Sequence, residues 1–279
     1  MDIVVVGAGT MGLGIAQVSA MAGHHVVLGD VHQAALDKAK VIIDKNLTKA
    51  VELGKLTEKQ KSETIGRIAY TIELSLLKCD MVIEAILENL DLKVDLFKKL
   101  TSVNGPDCIF ATNTSSIPIT QISARIEHPE RVVGIHFFNP AHVMKLVEVV
   151  SGAHTSKAIA QKAFDFVKGL GKTPIMAADA PGFIVNRVAR HYYVESLKVL
   201  EENVTDFENI DNLLESVGFK MGPFRLMDLI GVDTNFSVTS SMYALFHQDS
   251  KFRPSRIQQQ KVDAGFHGRK SGKGFYEYQ

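Results

Sequence analysis

The feature that most constrains the fold is a glycine-rich turn between a short apolar strand and a helix. Residues 3–6 read IVVV, which predicts a strand buried on both faces of a parallel sheet. Gly7–Gly12 read GAGTMG and fit the pattern G-x-G-x-x-G, and a helix is predicted from there to about Ala22. A second strand, 25–28, ends at Asp30. This order is typical of a dinucleotide-binding βαβ unit.

The residues of the turn have distinct physical tasks in such a unit. Gly7 permits the tight turn, Gly9 lets the backbone approach a pyrophosphate, and Gly12 lets the helix lie close to the strand. The helix N-terminus adds free N–H donors and partial positive charge for the phosphates. The alternative is a structural glycine turn that binds no nucleotide. The residues predicted to bind the dinucleotide are Gly7, Gly9, Thr10, Met11 and Gly12.

Asp30 follows Gly12 by 18 residues and predicts which dinucleotide binds. Its carboxylate can accept hydrogen bonds from both hydroxyls of the adenosine ribose and would repel a 2′-phosphate. NAD is therefore favoured over NADP, and the nearby His32 would soften that preference.

Strands and helices alternate over the first two thirds of the chain, which predicts an α/β fold with a Rossmann-type, doubly wound, mostly parallel sheet. After about Pro181 only helices are predicted. We therefore expect a dinucleotide-binding domain at 1–181 and an all-helical domain at 182–279. The further elements predicted are helices at 33–53, 58–65, 90–100, 182–203, 207–217, 231–246 and 255–264, and strands at 81–85, 109–111 and 132–136.

Charge and composition argue against other classes of function. The chain has 31 basic and 31 acidic residues, so no overall attraction to nucleic acid or an anionic membrane is expected. No apolar run approaches the roughly 18–20 residues that span a bilayer, and a strand beginning at Asp2 leaves no room for a signal peptide. Cys79 and Cys108 are too few for a disulfide framework, and no spacing suggests a metal site. The expected location is the reducing cytoplasm.

Two polar residues stand out within apolar runs. His136 ends a predicted strand, and ligands bind at the carboxyl ends of strands in such sheets. Histidine is well suited to take a hydroxyl proton near neutral pH. Glu148 lies in the run KLVEVV, where a carboxylate is costly to bury without a partner. If the two runs pair as strands, Glu148 reaches His136 and fixes its tautomer; the alternative is an ion pair with Lys145 or Arg131.

Two further polar residues lie at the ends of predicted elements. Ser115 follows the strand 109–111, where its hydroxyl can bond a substrate oxygen or cap the Asn-Thr-Ser-Ser turn. Asn186 lies in the first turn of the helix after Pro181, where its amide can bind a substrate oxygen or serve the helix start.

A series of motifs carries a resemblance along the whole chain. In their order and spacing they resemble the L-3-hydroxyacyl-CoA dehydrogenase family, and they are most similar to its short, free-standing 3-hydroxybutyryl-CoA dehydrogenases. Besides the glycine turn, the motifs are Glu84–Lys93 (EAILENLDLK), Asn113–Ser116 (NTSS), His136–Pro140 (HFFNP), Met144–Val149 (MKLVEV), Asp179–Arg187 (DAPGFIVNR), Gly222–Asp233 (GPFRLMDLIGVD) and Gly265–Tyr276 (GFHGRKSGKGFY).

The resemblance implies an oxidoreductase of fatty acid and butyrate metabolism that interconverts a (3S)-3-hydroxyacyl-CoA and its 3-ketoacyl-CoA with NAD. It implies that His136 and Glu148 are catalytic, with Ser115 and Asn186 as polar partners of the reacting group. It also implies that substrate binds between the domains and that the second domain forms most of a homodimer interface. The positions that match cofactor contacts elsewhere in the chain are Glu88, Lys93, Asn113 and Ser115.

Two details of the resemblance concern the nucleotides. Gly29 stands where the family more usually has a bulkier apolar residue, so a slightly looser adenosine pocket is expected. The family places the CoA nucleotide near a lysine-rich arm, here the helical stripe Lys38, Lys45 and Lys49 with Lys55 and Lys59 just beyond. Lys49 and Lys55 are therefore candidates for the CoA phosphates, against the alternative of a solvated face.

Two other functions remain open from the sequence. One is a dehydrogenase of a free hydroxy acid or sugar acid in the same superfamily, which would need no CoA site. The other is a non-catalytic, crystallin-like protein that keeps the fold and binds NAD.

Overall fold

The computed structural model describes residues 1–74 and 78–278, and the chain divides into two compact units, Met1–Ala180 and Pro181–Gln279. All named strands of the described residues lie in the first unit, and the second is helical. No helix in the described part of the chain has both the length and the apolar character needed to cross a membrane.

The strands of the first unit form one sheet. Their order across it is β3-β2-β1-β4-β5-β6-β7-β8. The first six run parallel, whereas β7 is antiparallel to β6 and β8 is parallel to β7. The strands are β1 Asp2–Val6, β2 His25–Gly29, β3 Ile68–Thr71, β4 Met81–Glu84, β5 Ile109–Thr112, β6 Val132–Phe137, β7 Leu146–Ser151 and β8 Thr173–Ala178.

The strand order reverses between β1 and β4, because the chain leaves β1 toward β2 on one side and returns to β4 on the other. Open α/β sheets bind ligands at such a switch point, outside the carboxyl ends of the strands. The predicted α/β class with a doubly wound, mostly parallel sheet is thereby confirmed.

The helices of the first unit cover the sheet with their apolar faces. In α2 the buried residues Leu36, Ala39, Ile43 and Leu47 recur every three or four positions, which is one face of a helix. The α3 helix starts with a capping box between Thr57 and Gln60. The helices are α1 Thr10–Met21, α2 Gln33–Glu52, α3 Glu58–Gly66, α4 Leu90–Thr101, α5 Ile119–Ser123 and α6 Lys157–Gly169.

The second unit packs its helices around an aromatic core that includes Tyr193, Phe224 and Phe275. Two buried carboxylates, Asp211 and Asp228, accept backbone N–H groups within this unit. The helices are α7 Val185–Glu201, α8 Phe207–Ser216, α9 Pro223–Ile230, α10 Val232–Leu245 and α11 Arg256–Asp263.

Some elements were not predicted from the sequence: β3, β8, α5, α6 and α9. In β3 only Ile68 is buried, and most residues of the edge strand β8 (TPIMAA) are exposed, so neither has a fully buried run like those of the inner strands. The helix predicted from Gly182 begins instead at Val185, because Gly182 and Phe183 take left-handed conformations with φ of 70° and 47°.

Candidate active site

The glycine turn is packed too closely to hold side chains at two of its three glycines. Gly7 has φ of 103°, and a Cβ there would lie 2.5 Å from the carbonyl oxygen of Ala85. A Cβ on Gly12 would collide with the carbonyl oxygen of Gly7. By contrast, no atom of the described residues lies within 4 Å of the position of a Cβ on Gly9. That open space fits the close approach of a pyrophosphate to the backbone.

Asp30 lies beside this turn at the end of β2. Its Oδ2 accepts the N–H of Ala8 at 2.8 Å, and its Oδ1 accepts the N–H of His32 at 2.9 Å. Each carboxylate oxygen keeps capacity for a further hydrogen bond. Gly9 is the N-cap of α1, and no described side chain caps that helix, so its first N–H groups are suited to bind a phosphate. Together the turn and Asp30 fit the diphosphate and ribose of NAD.

Gly29 precedes Asp30, and the space above it is filled. A Cβ on Gly29 would collide with Cδ2 of Leu74, which occupies the position a bulkier residue would take. The looser adenosine pocket expected from Gly29 stays a prediction.

The residues His136 and Glu148 are direct partners on the antiparallel strands β6 and β7. His136 Nδ1 lies 2.7 Å from Glu148 Oε2, a hydrogen-bond distance. The two residues are 6% and 1% exposed, so the bond is shielded from water. The ring of Phe138 lies 4.6 Å from the imidazole, centroid to centroid, and limits its movement. The predicted pairing of the two runs is confirmed.

Ser115 lies in a turn that follows β5, and this turn is held by Glu88. Glu88 Oε1 accepts the N–H groups of Ser115 and Ser116, both at 3.1 Å, and the hydroxyls of Thr114 at 2.6 Å and Ser116 at 2.9 Å. Thr114 Oγ1 also accepts the N–H of Ile117 at 2.9 Å. Thr114 therefore caps the turn, and Ser115 is held in place through its backbone.

Asn113 connects the same turn to the strand of His136. Its Oδ1 accepts the N–H of Phe137 at 2.9 Å, and its own N–H donates to the carbonyl of Glu84 at 2.8 Å. The ends of β4, β5 and β6 are thereby tied together beside His136. The contact of Asn113 with the cofactor stays a prediction.

The side chain of Lys93 is 1% exposed and reaches the carboxyl end of β4 from α4. Its ammonium lies 2.6 Å from Glu84 Oε1 and 3.2 Å from Glu88 Oε2. Glu84 Oε2 accepts the hydroxyl of Thr112 at 2.6 Å. The cofactor contact predicted for Lys93 also stays a prediction, and this ammonium is already bonded to two carboxylates.

Glu84 was not among the predicted site residues, although two signals were present. Glu84 ends the apolar run MVIE, the same kind of pattern that singled out Glu148. Lys93 precedes the buried residues Phe97 and Leu100 by four and seven positions, which places it on the buried face of α4. A lysine on a buried face needs a carboxylate, and Glu84 is the acidic residue of the adjoining strand.

The other predicted site residues are Asn186, Lys49 and Lys55. Asn186 is in the second unit, in the first turn of α7, and is partly exposed. Lys49, in the last turn of α2, and Lys55, just after it, are both exposed. Their roles toward substrate remain predictions.

Glu88 has a pKa below its ordinary value of 4.5. Burial alone would raise this pKa, but the charge of Lys93 and the hydrogen bonds from Thr114 and Ser116 lower it. Because the pKa is lowered in the folded state, the ionised Glu88 stabilises the fold above about pH 4.5, and this contribution is lost as pH falls through the lowered pKa.

We therefore expect Glu88→Gln to reduce the melting temperature by a similar amount between about pH 5 and 8, with the difference from wild type shrinking as pH falls below about 4. Thermal denaturation followed by circular dichroism across this range measures it. Glu277→Gln is the matched control, because Glu277 also pairs with a lysine but is exposed. A difference that stays constant down to acid pH would contradict the assignment.

Comparison with known proteins matches both units to one family. The description "3-hydroxyacyl-CoA dehydrogenase, NAD binding domain" matches residues 2–180, and "3-hydroxyacyl-CoA dehydrogenase, C-terminal domain" matches residues 182–278. The chain is 43% identical to a probable 3-hydroxybutyryl-CoA dehydrogenase of Deinococcus radiodurans, over 98% of this chain and 99% of that protein.

Two further relatives extend the comparison. The 3-hydroxyadipyl-CoA dehydrogenase of Escherichia coli is 47% identical over 99% of this chain. The present chain spans only 58% of the length of that relative. The crystal structure of (S)-3-hydroxybutyryl-CoA dehydrogenase from Ralstonia eutropha superposes with a TM-score of 0.95 at 40% identity, covering 100% of this chain and 99% of that one.

These matches confirm the predicted family, the NAD cofactor and the class of NAD-dependent dehydrogenase. They agree with the geometry of the glycine turn, Asp30 and the His136–Glu148 pair, which lie in the unit matched by the NAD-binding description. The chain therefore belongs to the 3-hydroxyacyl-CoA dehydrogenase family.

Proposed function

We propose that this chain catalyses the reversible, NAD-dependent oxidation of a (3S)-3-hydroxyacyl-CoA, with 3-hydroxybutyryl-CoA as the expected substrate, to the 3-ketoacyl-CoA. The observation that carries the proposal is the buried His136–Glu148 hydrogen bond of 2.7 Å at the carboxyl end of β6. The full-length similarity to proteins named 3-hydroxybutyryl-CoA dehydrogenase supports the substrate class.

His136 is the general base of the proposed reaction. Its Nδ1 is engaged by Glu148, so Nε2 takes the proton of the substrate hydroxyl during oxidation and returns it during reduction. Glu148 keeps the proton of the neutral ring on Nδ1 and stabilises the imidazolium that forms. NAD, when bound, supplies the acceptor for the hydride of the same carbon.

Ser115 and Asn186 are the proposed hydrogen-bond partners of the substrate oxygens. Ser115 is held by Glu88 through its N–H, which leaves its hydroxyl to orient the 3-oxygen. Asn186 can offer its amide to the same oxygen or to the thioester carbonyl. Loss of turnover in both Ser115→Ala and Asn186→Ala, with NADH binding retained, would support these roles.

NADH absorbance measured with a series of substrates tests the proposed function. The purified chain should oxidise NADH with acetoacetyl-CoA and longer 3-ketoacyl-CoAs. A 3-oxoadipyl-CoA belongs in the series because of the Escherichia coli relative named for 3-hydroxyadipyl-CoA. Preferred turnover of free acetoacetate would favour a dehydrogenase of free hydroxy acids, and no turnover with any substrate would favour a non-catalytic NAD-binding protein.

We also propose a CoA site, a homodimer and a cytoplasmic location. The exposed cations of Lys49 and Lys55 support a site for CoA phosphates.

In the second unit Val188, Leu213 and Val217 are 64–68% exposed, which supports a face that is covered by a second subunit in a homodimer. Light scattering of the purified protein would measure its mass. The free thiols Cys79 and Cys108 agree with a reducing compartment.

Asp30 is expected to set the preference for NADH over NADPH. Asp30→Asn keeps an oxygen that can accept the N–H of Ala8 but removes the negative charge that repels a 2′-phosphate. The ratio of kcat/KM for NADH to that for NADPH should fall roughly 10- to 100-fold, which is the effect of losing a hydrogen bond to a charged group. Asp37→Asn, at an exposed aspartate of α2, is the control. An unchanged ratio would exclude Asp30 from ribose recognition.

A further inference from the structure

The buried ammonium of Lys93 is the observation from which this inference starts. Lysine is almost never fully buried unless it is paired, because transferring its charge out of water is costly. Here the cost is offset by Glu84, 0% exposed, at 2.6 Å, and by Glu88 at 3.2 Å. An apolar residue would fill the same volume without desolvating a charge, so packing alone does not account for Lys93.

Glu84 is the fixed end of this arrangement. It closes β4 within the sheet, its Oε1 also accepts the N–H of Ile86 at 2.7 Å, and its Oε2 accepts the hydroxyl of Thr112 on the neighbouring strand. Glu84 is therefore held by two strands, and Lys93 bonded to it shares that fixed position.

Glu88 is the partly exposed end. It lies in the segment between β4 and α4, outside any helix or strand, and its side chain is 38% exposed. Its Oε2 bonds to Lys93 and its Oε1 to the turn that carries Ser115. Without Lys93, no fixed cation among the contacts described above would orient this carboxylate.

We propose that Lys93 is a positioning residue for Ser115, acting through Glu88: the sheet fixes Glu84, Glu84 fixes Lys93, Lys93 orients Glu88, and Glu88 holds the backbone of Ser115 and Ser116. The inference rests on the proposed function only in assigning Ser115 to the substrate. The chain of contacts itself is independent of substrate.

The decisive variant is Lys93→Met combined with Glu84→Gln. The double change removes both charges of the buried pair, so the fold is not burdened with an unpaired buried carboxylate. Amide hydrogen exchange of residues 113–117 in the absence of substrate should accelerate about 10-fold or more, because Glu88 is no longer oriented. With acetoacetyl-CoA, kcat should fall roughly 10- to 100-fold, the scale expected for a misplaced reacting group.

Lys61→Met is the matched control, because Lys61 is also a mostly buried lysine of the first unit and pairs with Asp44 at 3.0 Å. It should lower stability without changing exchange at 113–117 or kcat. If the double variant folds and both readouts stay at wild-type values, the proposal is overturned.

A second variant keeps the test decisive if the double variant does not fold. Glu88→Ala leaves the Lys93–Glu84 pair intact and should produce the same faster exchange at 113–117. Exchange that is unchanged in Glu88→Ala also overturns the proposal. Where the double variant folds, adding Glu88→Ala to it should produce no further acceleration, and an additive effect would show that Lys93 and Glu88 act separately. Failure of the proposed function would appear instead as wild-type protein without turnover, with the exchange results unaffected.

Discussion

Replacing His136 with alanine is expected to lower kcat roughly 100- to 10,000-fold while leaving NADH binding close to that of the wild type. Positioned general bases typically contribute this much to rate. NADH affinity should be preserved because the glycine turn and Asp30, which are proposed to hold the dinucleotide, do not contact the imidazole in any described hydrogen bond.

Glu148→Gln tests the other half of the pair by a different physical route. A glutamine can rotate its amide NH₂ toward Nδ1, which would then accept a hydrogen bond and leave the ring proton on Nε2. A ring in that tautomer cannot take a proton at Nε2, so kcat should fall by a factor of similar order, about 1,000- to 10,000-fold, as when the orienting carboxylate of a comparable triad is replaced by its amide.

The two substitutions should be far from additive, because the residues act as one unit. Steady-state kinetics with acetoacetyl-CoA and NADH, beside NADH titration by fluorescence, measures turnover and binding separately. His25→Ala is the matched control, since His25 is exposed at the opposite, amino end of β2. Turnover of His136→Ala within about threefold of wild type would remove His136 as the base and, with it, the assignment of Glu148.

The parts of the fold that could be predicted are those in which local pattern and burial agree. The residues of β1, β4, β5 and β6 are almost all buried, and each reads as an apolar run between breaks. The edge strand β8 also contains an apolar run, 174–178 (PIMAA), but most of its residues are exposed. A short apolar run of this kind does not by itself distinguish a strand from a helix.

For the active-site pair too, local sequence could predict one part and not the other. Sequence could identify His136 and Glu148 as polar residues in apolar runs, but their contact depends on register, and a slip of one residue would turn Glu148 to the other face of the sheet. The loop between their strands is held by Lys172, whose ammonium donates to the carbonyls of Ala141 at 2.6 Å and Met144 at 2.8 Å. Lys172 lies beyond the next helix, so no local pattern indicates that contact.

The second large effect is expected in the second unit, where Asp228→Ala should reduce the free energy of unfolding by about 3–5 kcal/mol. Asp228 is 1% exposed. It accepts the N–H groups of Phe275 and Tyr276 and the hydroxyl of Tyr278, each at 2.9 Å. Each buried donor left without an acceptor costs roughly 1–3 kcal/mol, and alanine leaves three donors without this acceptor. Two of the three, on Tyr276 and Tyr278, are only partly buried, so their cost lies near the lower end of this range.

The glycines near Asp228 show why the site has no substitute for its carboxylate. A Cβ on Gly268 would collide with the backbone of Asp228, and a Cβ on Gly274 would collide with its Oδ1. The glycine-rich motif Gly265–Tyr276 therefore wraps closely around one buried acid. Because the motif packs so closely against Asp228, no space is left for another side chain to accept these hydrogen bonds. Asp228→Asn should recover only part of the stability, since its NH₂ group would face an N–H donor.

Urea denaturation followed by the fluorescence of tyrosine measures both variants. Asp206→Ala is the control: Asp206 also accepts a backbone N–H, that of Asn209 at 2.7 Å, but as an exposed helix N-cap that contributes about 1 kcal/mol. The expected order of destabilisation is Asp228→Ala, then Asp228→Asn, then Asp206→Ala. If Asp228→Ala costs no more than Asp206→Ala, the C-terminal motif is held mainly by its aromatic packing against Phe224 and not by the buried carboxylate.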